Sequence, residues 1–172
     1  EASGYGVFHM WLPIRQFVEG TVEFLRPNPD NTLTSPAYAQ DVLSVSAYNS
    51  RNNSFYVNSG RGFALDGRIK PELSSPGVDI SVAAGTLRGS AVVSTASGTS
   101  LAAAIAAGGC AQLLQWCVQD GNEPDINGTR LINLLVRGAA RDASQSYPNR
   151  TFGFGRLDME GVFDWIAGIV RG

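Results

Sequence analysis

Ser97-Gly98-Thr99-Ser100-Leu101-Ala102-Ala103-Ala104-Ile105-Ala106-Ala107-Gly108-Gly109-Cys110 joins a short polar run directly to an apolar one. The apolar half continues to Val118 and stops at Asp120-Gly121. Being apolar nearly all round, it predicts a buried helix over Leu101 to Val118, with Gly108 and Gly109 letting a neighbouring backbone approach closely. The junction sets serine hydroxyls at a helix start, where backbone N–H groups lack partners and the dipole favours negative charge. Spacing alone leaves two readings open. Ser97, Thr99 or Ser100 caps the helix, or Ser100 is a nucleophile whose oxyanion the helix start stabilises.

Upstream, Val42-Leu-Ser-Val-Ser-Ala-Tyr48 is a short, mostly apolar run closed by the polar Asn49-Ser-Arg-Asn-Asn53. A second run, Val78-Asp-Ile-Ser-Val-Ala-Ala84, lies between Ser75-Pro-Gly77 and Gly85. Both predict central strands of a buried parallel sheet. Downstream, Leu131, Ile132, Leu134, Leu135 and Val136 mark an apolar face on a helix from Gly128 to Ala140, with Asp125 or Asn127 as its N-cap. A last helix is expected from Met159 to Val170, completing an α/β pattern. At the other end, Tyr5-Gly-Val-Phe-His-Met-Trp-Leu-Pro13 predicts a strand ending near Pro13, and Arg26-Pro-Asn-Pro-Asp-Asn31 a loop and a boundary.

The 172 residues, 44% of them apolar, suffice for one domain with a sizeable core. A net charge of -2, with both signs interspersed, offers no basic stripe, so nucleic acid is not an expected partner. Cys110 and Cys117 lie about 10 Å apart along the helix, too far for a disulfide, and are expected as buried small hydrophobes. Asp66, Asp79, Asp120, Glu123 and Asp125 lack the spacing of an oxygen-ligand loop, so no metal site is expected. Gly153-Phe-Gly155 lacks the third glycine of a dinucleotide fingerprint, and no cofactor is expected. Phe24, Trp116 and Trp165 are expected in the core. The longest apolar stretch, Leu101 to Ala111, falls short of the roughly 20 residues that span a bilayer, so no membrane span is expected. The start at Glu1, with no charged region leading into an apolar run, is read as a cut.

Gly98 to Gly108 resembles the serine signature of the subtilisin family, the subtilases: Gly-Thr-Ser, a hydrophobic residue, Ala, Ala or Ser, usually Pro, and later Ala-Gly. Three further stretches resemble the family in the right order: Ser35 to Tyr48, Asp66 to Gly77, and Phe152-Gly-Phe-Gly-Arg-Leu-Asp158. The likeness runs from Ser35 to Trp165, with Ala104 where Pro is usual and Ser75 where Ala commonly precedes Pro-Gly. It implies the C-terminal part of a subtilisin-like α/β fold, a parallel sheet flanked by helices, in residues 35–172. Ser100 then matches the nucleophile, with Gly98, Thr99 and Leu101 supporting its loop and the oxyanion.

The implied activity is that of a serine endopeptidase acting on protein or peptide substrates through an acyl-enzyme on Ser100. A serine hydroxyl needs a base, and the base needs an orienting acid. The single histidine, His9, stands 91 positions before Ser100 in a setting unlike the Gly-rich helix start that carries the family's base. Asp, His and the oxyanion Asn are therefore expected from an absent N-terminal half, this chain's partner, and the chain alone is expected to be nearly inert. The stretch Gly4 to Pro13 is similar to the end of the jelly-roll insertion in the Csp germination proteases. Residues 1–34 are then the end of an inserted β-domain and a linker. The family suggests a bacterial protein, secreted or associated with the spore or cell envelope. The alternative is a pseudoprotease that binds or regulates a partner, since some Csp-type members lack catalytic residues while keeping the fold.

Overall fold

β1 (Val45–Tyr48) and β2 (Leu73–Pro76) pair in parallel, from Val45 opposite Leu73 to Tyr48 opposite Pro76. This is a computed structural model, and it describes residues 8–13, 17–87 and 90–171. Short apolar and small side chains let both strands disappear from solvent: Ala47, Leu73, Ser74 and Ser75 are fully buried. Pro76 has no N–H to continue the ladder, so β2 stops there. A clamp of opposite charges locks the strand starts together. The Lys70 ammonium, almost wholly buried, meets a Glu72 oxygen at 2.5 Å and the Val42 carbonyl at 2.5 Å, while the other Glu72 oxygen accepts the Ser44 N–H. The outer side of β2 is covered by the chain after Phe152: Ser74 N–H donates to Gly155 O, and Leu157 N–H to Ser74 O. Gly153-Phe-Gly155 is thus a close-packed turn, since a Cβ on Gly153 would sit 2.2 Å from the Pro71 carbonyl oxygen.

Helix α1 (Thr99–Leu114) runs on through a wider π turn, Gln115–Gln119, and packs against β1 and β2. α2 (Gly128–Gly138) and α3 (Met159–Arg171) pack on each other. Leu73, Leu113, Cys117, Leu131, Leu134, Leu135, Val162 and Ile166 fill the common core. Of the two proposed caps for α2, Asn127 is the one used: its side chain accepts the Arg130 N–H at 2.9 Å. Asp158 does the same for Gly161 at the start of α3. The two helices touch through glycine, because a Cβ on Gly138 would lie 2.3 Å from the Val162 backbone.

Four expectations need correction. Val78–Ala84 is not a central parallel strand. After Pro76-Gly77 the chain turns out of the sheet through Asp79, which sits in the left-handed region (φ 54°), and forms an exposed antiparallel hairpin of β3 (Ile80–Leu87) and β4 (Ser90–Ala96). The second sheet strand is β2, whose two serines disguised it. In the Tyr5–Pro13 strand, Tyr5, Gly6 and Val7 lie outside the described residues; Phe8–Pro13 is exposed and irregular, tied down where Trp11 Nε1 donates to Asn31 O. Phe24 is exposed rather than core, whereas Trp116 and Trp165 do pack against the core.

The fourth correction concerns α1. Ala102, Ala106, Gly109 and Leu113 form one buried stripe, while Ile105, Leu114 and Val118 remain exposed, because no described element covers that side. Gly109 does serve a close contact, with the Met159 side chain, but Gly108 meets nothing. Cys117 is buried and Cys110 half-buried. Neither Gln112 nor Gln115 ends the helix, so Thr99–Gln119 is, by length and composition alone, long and apolar enough to cross a membrane.

Ser75 is fully buried and its hydroxyl has no hydrogen-bond partner among the described residues. An unmade buried hydrogen bond costs about 1–3 kcal/mol. Ser75→Ala should therefore stabilise the fold by roughly 1 kcal/mol, raising Tm by about 2–4 °C in a thermal melt. Gly138→Ala should do the reverse, losing about 1–3 kcal/mol as α2 and α3 are forced apart.

Candidate active site

Helix α1 begins at an N-cap glycine, Gly98, with Thr99 and Ser100 as its first two residues. The Leu101 N–H bonds back to Gly98 O at 3.1 Å. The N–H groups of Thr99 and Ser100 come before any carbonyl of the helix can reach them, and both residues are exposed. The cap reading of the hydroxyl cluster therefore fails. Gly98 has no side chain to cap with, and Ser97 is engaged elsewhere, its Oγ accepting the Asp79 N–H at 2.9 Å. Among the described residues the Ser100 hydroxyl has no hydrogen-bond partner.

What holds this junction is the turn after β2. Gly98 N–H donates to Gly77 O at 2.8 Å, and a Cβ on Gly77 would lie 2.8 Å from Ala47 Cβ, 2.9 Å from Gly98 O and 3.1 Å from Ala102 Cβ. Glycine at 77 thus lets β1, the turn and the start of α1 meet at backbone contact. Gly98 itself is extended (φ 166°), and a Cβ there would meet nothing nearer than Ser100 N at 4.0 Å. The space above it is open, which leaves Ser100 approachable. Leu101 is half-buried and Ala102 fully so, anchoring the helix just past the serine.

The arrangement is an exposed hydroxyl beside free amides at the positive end of a 16-residue helix, suited to attack on a carbonyl followed by stabilisation of the resulting oxyanion. No base or acid reaches the hydroxyl from the described residues. His9 stacks on Trp11 at 5.7 Å. The buried serines at 46, 74 and 75 are inaccessible, and burial pushes the thiols of Cys110 and Cys117 up, away from the reactive thiolate. No group of three His, Cys, Asp or Glu residues gathers to hold a metal ion among the described residues. Cavities of about 660 Å³ beside Trp11, Leu33 and Tyr38 and of about 1210 Å³ beside Asp41, Asn133 and Trp165 are both lined without Ser100.

Residues 21–155 match the family model described as Peptidase S8, subtilase family. Among solved structures, the chain is similar to the CspB protease of Clostridium perfringens, with 34% identity and a TM-score of 0.75 over 83% of this chain and 30% of that one. It is similar to the patellamide maturation protease PatA at 28% identity and TM-score 0.62, over 82% of this chain and 48% of that one. Fervidolysin from Fervidobacterium pennivorans, at 24% identity and TM-score 0.56 over 76% of this chain and 20% of that one, shares the fold. The chain thus spans less than half the length of these proteins. No curated protein sequence matches it.

The contrast between the two glycines is testable. Gly77→Ala should lose about 1–3 kcal/mol by overpacking, whereas Gly98→Ala, with open space and an extended backbone, should lose no more than about 1 kcal/mol, the difference between Gly and Ala at an N-cap. Chemical denaturation of the two variants checks the order, and equal losses would refute the packing argument.

Proposed function

The chain belongs to the subtilase family, and from that premise we propose that it carries the nucleophile of a serine endopeptidase. The observation behind this reading is the exposed, uncommitted Ser100 hydroxyl beside unbonded N–H groups at the start of α1. Ser100 Oγ attacks the substrate carbonyl while a histidine takes its proton; the tetrahedral oxyanion is held by the Ser100 N–H at the helix start and by an asparagine side chain. Collapse expels the amine, which takes its proton from the histidine, and leaves an acyl group on Ser100. Water activated by the same histidine then releases it.

The histidine, its orienting aspartate and the asparagine come from an N-terminal half of the protease domain outside this sequence. Two features support that assignment: His9 is engaged with Trp11, and α1 presents Ile105, Leu114 and Val118 uncovered, a face suited to another layer of the same domain. In this reading residues 35–172 are the C-terminal half of the catalytic domain and residues 1–34 a linker with the end of an inserted jelly-roll domain. The family likeness supports a bacterial protein, secreted or held at the spore or cell envelope. A pseudoprotease that binds or regulates a partner is the second reading, favoured by the lack of a described base at Ser100.

A fluorophosphonate probe, which reacts with activated serines, separates the two. The full-length gene product is expected to label at Ser100, with labelling abolished in Ser100→Ala, and the 172-residue chain alone to react at least about 1000-fold more slowly for want of its base and one oxyanion donor. No labelling of the full-length product would overturn the endopeptidase reading in favour of the pseudoprotease.

A further inference from the structure

The hairpin and the turn before it are joined by three successive ties leading towards Ser100. Ile80 pairs with Ala96 in the ladder, Asp79 N–H donates to Ser97 Oγ at 2.9 Å, and Gly98 N–H donates to Gly77 O at 2.8 Å. The first and third use backbone atoms alone. The middle one cannot, because Asp79 has turned into the left-handed region (φ 54°) and has left the ladder, so the Ser97 side chain supplies the acceptor. Three residues on stands Ser100, between this tie and the first fully buried helix residue, Ala102.

We propose that Ser97 is a positioning residue for Ser100: its hydroxyl latches the loop before the nucleophile to the turn at Asp79, holding the helix start in its reactive placement. The catalytic part of this inference rests on the endopeptidase reading; the latch itself does not. Placement matters because an error of about 1 Å in a reacting group can cost about 100-fold in rate. The latch differs from its neighbours in being made by an exposed side chain, so one substitution removes it while leaving the core and the strand pairing in place.

Two measurements on the full-length protein test it. In Ser97→Ala, fluorophosphonate labelling of Ser100 should slow about tenfold, and kcat for a peptide substrate should fall with KM unchanged, as expected for a group that acts on the reacting geometry rather than on substrate binding. Ser97→Thr, which keeps the acceptor oxygen, should stay within about twofold of wild type, as should Ser94→Ala, which removes an exposed hydroxyl from β4, the strand that leads to Ser97. Amide hydrogen exchange at Asp79 should accelerate about tenfold in Ser97→Ala and not in Ser97→Thr. Wild-type rates and wild-type exchange in Ser97→Ala would overturn the latch, as would equal impairment by Ala and Thr. If wild-type protein never labels, the endopeptidase reading and the catalytic role of the latch both fall. The exchange arm then stands by itself, faster exchange in Ser97→Ala supporting the latch and unchanged exchange overturning it.

Discussion

The backbone contact between Gly77 and Gly98 is the constraint on which the rest of this structure depends. At that point the end of the parallel sheet, the turn into the exposed hairpin and the start of α1 occupy one small volume, which has no room for a Cβ on residue 77. The 20 residues of the hairpin excursion leave the sheet and return to it through this contact. Because Ala102 packs beside it, the helix axis is set there, and with it the direction in which the free amides of Thr99 and Ser100 point.

A second constraint lies at the strand starts of the sheet under that contact. The Lys70–Glu72 pair satisfies the Val42 carbonyl and the Ser44 N–H at the edge of the ladder, so two buried charges are neutralised and bonded rather than merely enclosed. Such pairs add little net stability over an apolar filling but are costly to break singly. The return of the chain at Phe154–Leu157 completes the arrangement by bonding to Glu72 and Ser74 on the far side of β2. Sheet, clamp and return segment together form the platform that supports α1 from below.

Above the platform the molecule is asymmetric. One side of α1 is a core stripe; the other, with its exposed aliphatic residues, has the character of an interior surface. The start of α1 is also one-sided, since the Ser100 hydroxyl lies beside free helix amides and no described side chain bonds to it. The uncovered apolar face and the unpartnered hydroxyl are thus both features of α1, one along its flank and one at its start.

Much of this was legible in the sequence because it rests on local chemistry. The apolar face of α2, a polar cap for it at Asp125 or Asn127, the span of α3 and a serine at the start of α1 all follow from side-chain type and spacing within one turn or two. The first strand was legible for the same reason, although the apolar run from Val42 over-extends it: the ladder begins only at Val45. The sequence could not show that Leu73-Ser-Ser-Pro76 is a core strand, since its serines look like loop residues until their burial is seen, or that Ile80–Leu87 leaves the sheet, since its apolar residues read as core. Nor could it show that Ser97 takes a bond from Asp79, 18 residues away. Residue type and spacing determined which segments could be helix or strand and that a cluster of hydroxyls stood at a helix start, within which only the family resemblance singled out Ser100. Which strand lies inside, which face of α1 is covered and which serine latches the loop were decided only by the tertiary structure, because burial and close backbone approach depend on residues distant in the chain.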